Sequence, residues 1–149
     1  MDKTLWTVYL AGEIHSDWRQ NIMSLARQGD LPVTFLYPEQ EHATSDTIGE
    51  VLLGKEISDF WYDHKSAKIN TIRNQSFLNR SDIVVVRFGE KYRQWNAAFD
   101  AGQAVALGKH LITMHDPSLN HALKEIDARA MAVTETAEQI VGVLRHISR

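Results

Sequence analysis

The sequence has no cysteine, no long apolar segment and no excess of basic residues. Without cysteine the chain has no disulfide, no thiol nucleophile and no thiolate metal ligand. No apolar stretch approaches the roughly 20 residues that a membrane helix requires. The formal net charge is -3, whereas proteins that bind nucleic-acid polymers usually present a basic patch. We therefore expect neither a membrane nor a nucleic-acid polymer as partner.

Other missing patterns bear on location and cofactors. No basic segment followed by an apolar one stands at the amino terminus, so we expect no secretory signal and a cytoplasmic protein. The turn after the first predicted strand holds one glycine, Gly12, and not the GxGxxG pattern of classical NAD sites. No metal-ligand spacing links His42, His110, His121 and His146. We expect no cofactor and no bound metal.

The most informative stretch is residues 82–115. Ile83 to Val86 is an apolar run of β-branched residues, which is typical of a strand buried on both faces. A second apolar run, Leu111 to Met114, follows after a helical pattern. Spacings of three and four predict a helix with one apolar face, formed by Trp95, Ala98, Phe99, Gly102, Val105 and Ala106. Asn96 is the expected cap of this helix, and Gly108 is its expected stop.

Strand and helix patterns alternate along the rest of the chain. Further strands are expected at Leu5–Leu10, Val33–Tyr37 and Ala130–Val133. Further helices are expected after Asp17, from Phe60 to Arg80, over Leu119–Ile126, and from Thr134 or Thr136 onward. Residues 39–59 are expected to form a long loop with at most a short helix after Ser45. The pattern predicts one domain, residues 1–149, with a doubly wound α/β fold, helices on both faces and five parallel strands in the order 2-1-3-4-5.

This topology brings two polar loops to one crevice. Ligands of open α/β sheets bind outside the carboxyl ends of the strands, at the point where the strand order reverses. That rule places the turn after residues 9–12 beside the loop that precedes Asp100, which makes the crevice the default binding site. Asp100 itself allows two interpretations, because an acid near a helix start either faces a ligand or simply complements the helix dipole.

Two further groups also allow a binding and a structural interpretation. Arg19 could help hold a phosphate at the start of the first helix, whereas Ser16 or Asp17 could merely cap that helix. The second group is an aromatic cluster that consists of Trp61, Tyr62 and His64. It could stack on a flat base, or it could anchor the preceding loop to the core.

The chain resembles a known family. The YLAG segment at residues 9–12 looks like the opening motif of nucleoside 2-deoxyribosyltransferases, and residues 100–109, DAGQAVALGK, resemble their E-x-G-x-A-x-x-x-G-K motif. Three blocks are similar to the YtoQ-like branch of that superfamily: residues 68–73, 84–102 and 121–125. The resemblance covers nearly the whole chain and implies a flavodoxin-like fold with the same pocket.

The resemblance also implies site residues. In the transferases a glutamate attacks the anomeric carbon of a nucleoside and forms a glycosyl-enzyme intermediate. Asp100 matches that glutamate, and Tyr9 matches the family tyrosine at the end of the first strand. One further family aspartate falls at about Asn74, and another falls near Gln94 to Asn96. Of the three family carboxylates, one is therefore matched by a shorter carboxylate and two are matched by amides. An amide forms hydrogen bonds but cannot donate a proton as an acid.

Two functions of different classes follow. The first is transfer or hydrolysis of an N-glycosidic bond in a nucleoside or nucleotide. Asp100 and Tyr9 would be catalytic in that case, with substrate bound by Gly12, Glu13, Asn74, Gln94, Trp95 and Asn96. The second is nucleotide binding or sensing on the same fold without catalysis. The resemblance also implies a homo-oligomer, at least a dimer, in which a neighbouring chain completes the pocket, and residues 60–62 are an expected aromatic contact surface.

Overall fold

The computed structural model describes residues 4–91 and 93–149, and this part of the chain forms one five-stranded parallel sheet. The strands are β1 Trp6–Gly12, β2 Val33–Leu36, β3 Ile83–Phe88, β4 His110–His115 and β5 Ala132–Thr134. Their order is β2-β1-β3-β4-β5. The predicted doubly wound topology is therefore confirmed, with its switch point between β1 and β3.

Helices cover both faces of the sheet. They are α1 Trp18–Gln28, α2 His42–Leu53, α3 His64–Arg80, α4 Trp95–Ala106, α5 Lys124–Asp127 and α6 Ala137–Ile147. Short 3-10 turns occupy Asp59–Trp61 and Pro117–Leu119. Successive strand residues point to opposite faces, so Val8 and Leu10 pack with α1 and α6, while Tyr9 and Ala11 pack with α3 and α4. None of the helices in the described ranges is both long and apolar enough to cross a membrane.

The first strand ends two residues later than predicted. Ala11 and Gly12 belong to β1 because they pair with Val86 and Arg87 of β3. Gly12 has a φ of 105°, and a Cβ atom there would lie 2.2 Å from the Arg87 carbonyl oxygen. Only glycine therefore fits where β1 leaves the sheet at the switch point.

The prediction for residues 39–59 was a long loop with at most a short helix after Ser45, and the helix is longer than that: α2 begins at His42 and ends at Leu53. In sequence Gly49 looks like a break, but it lies where α2 touches α3: a Cβ atom there would stand 2.3 Å from the Ser66 backbone nitrogen. The Ser66 hydroxyl accepts a hydrogen bond from the Gly49 N–H at 2.8 Å and donates one to the Asp46 carbonyl at 2.7 Å. The glycine permits close helix packing and does not end the helix.

The apolar face predicted for α4 is only partly its buried face. Ala98 and Val105 pack against a buried cluster, but the fully buried residues are Ala97, Ala101 and Ala104, whereas Trp95 is 72% exposed and Phe99 is 65% exposed. A spacing of three and four fits both stripes of this helix, so the pattern alone could not choose between them. The stripe of alanines faces inward because small side chains let α4 approach the strands closely.

The ends of several helices differ from the predicted ones. Gln94 and not Asn96 occupies the N-cap position of α4, without a side-chain hydrogen bond, while Gly108 ends the helix as predicted, with a φ of 72°. The α3 helix begins at His64 and not at Phe60. Residues 119–126 contain only the end of a 3-10 turn and the start of α5. Of the two caps offered for the last helix, Thr136 is correct and forms a capping box with Gln139.

Candidate functional site

A cavity of about 510 Å³ opens at the carboxyl edge of the sheet, beside the switch point. Its walls come from the end of β1 with the turn that follows, the start of α2, one side of α3, and the first turns of α4. Predicted site residues that line it are Tyr9, Gly12, Glu13, Asn74, Gln94, Asn96 and Asp100. The two loops that follow the strand ends therefore bring these side chains to one cavity, as predicted.

Trp95 is the predicted site residue that the structure does not bring to the cavity. It is the first residue of α4, and its largely exposed indole lies on the outer stripe of that helix. The Arg93 guanidinium stands 5.4 Å from the centre of the indole ring. Trp95 therefore lies on the molecular surface beside the cavity and does not line it.

Asp100 is a partly buried carboxylate in the wall formed by α4. Burial raises its pKa from 3.8 to about 6, and the positive charge of Arg19 opposes that rise. Within the described residues, no hydrogen bond or ion pair engages this carboxylate. Its hydrogen-bonding capacity is thus available to a ligand, and it titrates close to neutral pH.

Tyr9 faces the same space from β1. Its ring is buried and meets Phe77 edge-on, with ring centres 6.3 Å apart. Burial, and after it the negative charge of Asp100, raise the pKa of the Tyr9 hydroxyl well above its usual range. The phenol is therefore protonated at neutral pH and is a hydrogen-bond donor beside the Asp100 carboxylate.

Glu13 is a second carboxylate in the cavity, and its environment is the opposite of that of Asp100. The Ser16 hydroxyl donates to Oε2 at 2.6 Å, the His15 N–H donates to Oε1, and Arg87 Nε reaches Oε2 at 3.2 Å. Burial would raise the pKa of Glu13, but these donors outweigh it and leave the pKa below its usual range. A Cβ on Gly89 would stand 2.7 Å from Glu13 Cγ, so that glycine makes room for the side chain. Glu13 is a fixed, ionised acceptor.

Arg19 is not placed to hold a phosphate, which was the binding role offered for it in the sequence. Its side chain is fully buried, and its guanidinium donates to the carbonyl oxygens of Leu10, Gly12 and Glu13 at 2.9, 3.1 and 2.7 Å. Asp17 precedes α1 as predicted, but without a side-chain capping bond. Sequence spacing gave no signal for these contacts, because backbone carbonyls leave no trace in the residue pattern.

Amide side chains from α3 and α4 complete the walls. Asn70 Nδ2 donates to the Ser45 carbonyl and hydroxyl oxygens at 2.9 and 3.1 Å, and Gln103 Nε2 donates to Gln75 Oε1 at 3.1 Å. Asn74 Oδ1 is buried and has no partner in the described part of the chain. A buried acceptor without a partner is rare, so it marks a place where a bound molecule would be held.

The contribution of α2 was not predicted from the sequence, because most of this segment was expected to be a loop. Ser45 and Asp46 of α2 line the cavity, and so do Asn70 and Gln75 of α3 and Gln103 of α4. The spacing of Asn70 and Asn74 on one helix face was a usable signal for the α3 wall.

The charges around the cavity are mainly negative. Its described lining contains one guanidinium, that of Arg93, and several carboxylates: Glu13, Glu39, Asp46, Asp63 and Asp100. Within the described residues, no group of three or more histidine or acidic side chains could hold a metal ion. The arrangement can accept hydrogen bonds from hydroxyl groups, and it can donate through its amides and the Tyr9 phenol.

The aromatic group at residues 61–64 lies on the surface. Trp61 stacks against His64 with ring centres 4.8 Å apart, while Phe60 and Tyr62 are largely exposed. These residues do not join either buried cluster of the described chain. The interpretation that they anchor the loop to the core is therefore wrong.

A doubly wound parallel sheet with a polar, carboxylate-bearing cavity at its switch point defines a class of α/β proteins that hold small polar molecules. Within that class the chain belongs to the family described as Nucleoside 2-deoxyribosyltransferase YtoQ, which matches residues 9–148. This confirms the resemblance found in the sequence.

Individual relatives agree with this membership. The chain is 43% identical over 140 residues to the uncharacterized protein YtoQ of Bacillus subtilis (strain 168), covering 94% of this chain and 95% of that protein. The 2-deoxyribosyltransferase of Bacillus psychrosaccharolyticus is similar in structure, with a TM-score of 0.54 and 19% identity over 93% of this chain and 95% of that one. A conserved protein of Enterococcus faecalis V583 has a TM-score of 0.64 and 14% identity, covering 95% and 98%. At these identities the structural likeness concerns the fold.

Proposed function

We propose that the cavity binds a nucleoside and that the protein transfers or hydrolyses its N-glycosidic bond, with Asp100 as nucleophile. The observation that carries this proposal is the state of Asp100, a carboxylate partly withdrawn from water and without a hydrogen bond to the described residues. It shares one cavity with Tyr9 and Glu13. Family membership supports a nucleoside as the substrate class.

The chemistry suits a carboxylate in this position. Cleavage at an anomeric carbon passes through an oxocarbenium-like transition state, which a negative charge stabilises and then captures as a covalent bond. The pair of electrons of the broken C–N bond leaves with the base. The base takes up a proton from solvent. Water or a second base then attacks the anomeric carbon and gives up its proton to solvent, while the bond to the Asp100 oxygen breaks and the carboxylate is released. Tyr9 would donate a hydrogen bond to the substrate in the same cavity.

An aspartate places its oxygens roughly 1.5 Å closer to its own backbone than a glutamate does, and reacting atoms must approach to about 3–3.5 Å. The alanine face of α4 supports the shorter side chain. Ala97, Ala101 and Ala104 let the helix lie close to the sheet, so that the floor of the cavity and Asp100 can approach one substrate together.

Other lining groups would contact different parts of the substrate. Glu13, fixed and ionised, would accept hydrogen bonds from sugar hydroxyls. Asn74 and Gln75 of α3, with Asn96 of α4, would contact the base, because amides both donate and accept. The excess of carboxylates in the described lining favours an uncharged nucleoside over a nucleotide, since a phosphate would be repelled.

We also propose that the protein forms at least a dimer whose neighbouring chain closes the cavity. Phe99 lines the cavity and is largely exposed, and Trp95 lies one turn before it on the same stripe of α4. Ile72 of α3, Phe60 and Tyr62 are exposed as well. Large apolar side chains grouped beside a polar site are typical of a contact surface.

Nucleoside binding without catalysis is the second candidate. The amides of Asn74, Gln94 and Asn96 favour it, because they bind but cannot protonate a departing base. The two candidates share the cavity and differ only in what happens to the glycosidic bond.

Incubation of the purified protein with mixed nucleosides and nucleotides, followed by chromatography for free base, separates the candidates. The first predicts release or exchange of base by the unaltered protein. It also predicts loss of that activity by orders of magnitude in Asp100→Asn, because this isosteric change removes only the charge. Ligand-induced thermal stabilisation of both proteins without any released base would favour the binding function instead.

A further inference from the structure

We propose that Arg19 is a positioning residue of this site: its guanidinium fixes the turn that carries Glu13, and its buried positive charge acts on Asp100. This role rests on the proposed function. Arg19 is fully buried and is not part of the cavity lining, so it acts through other groups and does not touch the substrate.

The geometry of the guanidinium explains how the turn is fixed. Nε donates to the Leu10 carbonyl, Nη2 to the Gly12 carbonyl and Nη1 to the Glu13 carbonyl. These carbonyls lie at the end of β1, where the chain leaves the sheet. Arginine alone has a planar fork of five donors that can satisfy three carbonyls from one side chain. A lysine would keep the charge but lose this fork.

Trp18 supports Arg19 in two ways. Its indole ring lies 4.6 Å from the Arg19 guanidinium carbon, and its Nε1 donates to the Glu13 carbonyl at 2.7 Å. The Glu13 carbonyl therefore accepts from both residues. Trp18→Phe removes this donor and makes the buried ring smaller, but it leaves the charge of the site unchanged, which makes it a matched control for the effect of charge.

The charge of Arg19 acts on the same site. Burial lowers the pKa of Arg19 to about 10, so it stays protonated at neutral pH. Its positive charge opposes the effect of burial on Asp100 and so favours the ionised carboxylate that attack requires. Tyr9 and Glu13 also interact with Arg19 electrostatically.

The remaining charged groups near the site come from other elements. Arg73 of α3 lowers the pKa of Tyr9, Arg87 of β3 pairs with Glu13, and Asp46 and Asp63 line the cavity from α2 and the start of α3. Arg19 is the charged group that the structure identifies as opposing the raised pKa of Asp100. Loss of its charge should therefore move the titration of Asp100 to higher pH, and Trp18→Phe, which loosens the same turn, measures any part of that shift that comes from displacement of Glu13.

The test compares Arg19→Gln and Arg19→Lys with Trp18→Phe. The acid limb of the pH profile of kcat/KM for base release, and the midpoint of the Asp100 carboxyl carbon resonance, should both move to higher pH in Arg19→Gln. In Arg19→Lys the limb should move less, while kcat falls because the fork is lost. Trp18→Phe should leave the acid limb in place. An unmoved limb and an unmoved midpoint in a folded Arg19→Gln protein would overturn the proposal.

If the Arg19 variants do not fold, the unaltered protein still gives an answer. The Arg19 Nε–H resonance should titrate with the same midpoint as the Asp100 carboxyl carbon, and this step should disappear in Asp100→Asn. The absence of that step would overturn the role of Arg19 even if base is released, and the proposed function would stand. A coupled titration without any base release would refute the proposed function and leave the electrostatic link intact.

Discussion

At the scale of single residues, the site contrasts two carboxylates in one cavity. Asp100 has its pKa raised by burial and no hydrogen bond to the described residues, whereas Glu13 is held ionised by Ser16, His15 and Arg87. Environments that separate the titration of two acids also divide their roles. The sequence indicated Tyr9 and Asp100 through motifs. It could not indicate the partners of Glu13, since Arg87 is 74 residues away and meets it only across the switch point.

The titration of Asp100 predicts a stability effect. Between pH 3.8 and about 6 the folded protein keeps a proton on Asp100 that the unfolded chain has released, so stability falls as pH rises through this window. Asp100→Asn removes that loss. We expect the variant to have a free energy of unfolding higher by up to about 3 kcal/mol at pH 7, with the difference vanishing near pH 4.

Urea denaturation of both proteins across this pH range measures the effect. Glu90→Gln, in which the altered side chain is exposed, is the matched control and should show no such gain. A difference between the unaltered protein and Asp100→Asn that does not depend on pH would contradict the assigned burial of Asp100.

At the scale of elements, the strands were easier to predict than the helices. Val84 and Val86 belong to a short β-branched run, which is typical of a buried strand, and the alternation of strand and helix patterns then gave the order of the neighbouring strands. Most of the helix α2 was missed because Gly49 looks like a break in sequence, although it serves a helix contact. In α4 the large side chains Trp95 and Phe99 suggested the core, but the alanine stripe provides the close packing.

The close approach of α2 to α3 predicts the effect of filling it. Gly49→Ala should destabilise the protein by about 1–3 kcal/mol, because the new methyl group would meet the backbone at Ser66 and force the helices apart. Since α2 forms one wall of the cavity, ligand binding should weaken as well. Denaturant unfolding measures the first effect and calorimetry with a bound nucleoside the second.

Gly142→Ala is the matched control for this change. Gly142 lies inside α6, and a Cβ atom there would meet nothing within 4 Å. Its replacement should be neutral or stabilising by up to about 1 kcal/mol through helix propensity. Equal effects of the two substitutions would show that the α2–α3 contact is looser than described.

At the scale of the whole molecule, the exposed aromatic surface beside the cavity predicts self-association. Light scattering at micromolar concentration should give at least a dimer, and the double variant Trp95→Ser, Phe99→Ser should shift the mass toward the monomer. Met131→Ser changes another largely exposed apolar residue, next to β5, and should leave the mass unchanged. A monomeric unaltered protein would count against the proposed assembly.

The central claim, that Asp100 attacks the anomeric carbon, is tested most directly by trapping the intermediate. A 2-fluoro-sugar nucleoside slows release of the glycosyl group, because fluorine destabilises the oxocarbenium-like transition state. Mass spectrometry of the intact protein and of its peptides should find one adduct, on Asp100, and none in Asp100→Asn. An adduct on Glu13, or undiminished base release by Asp100→Asn, would contradict the account.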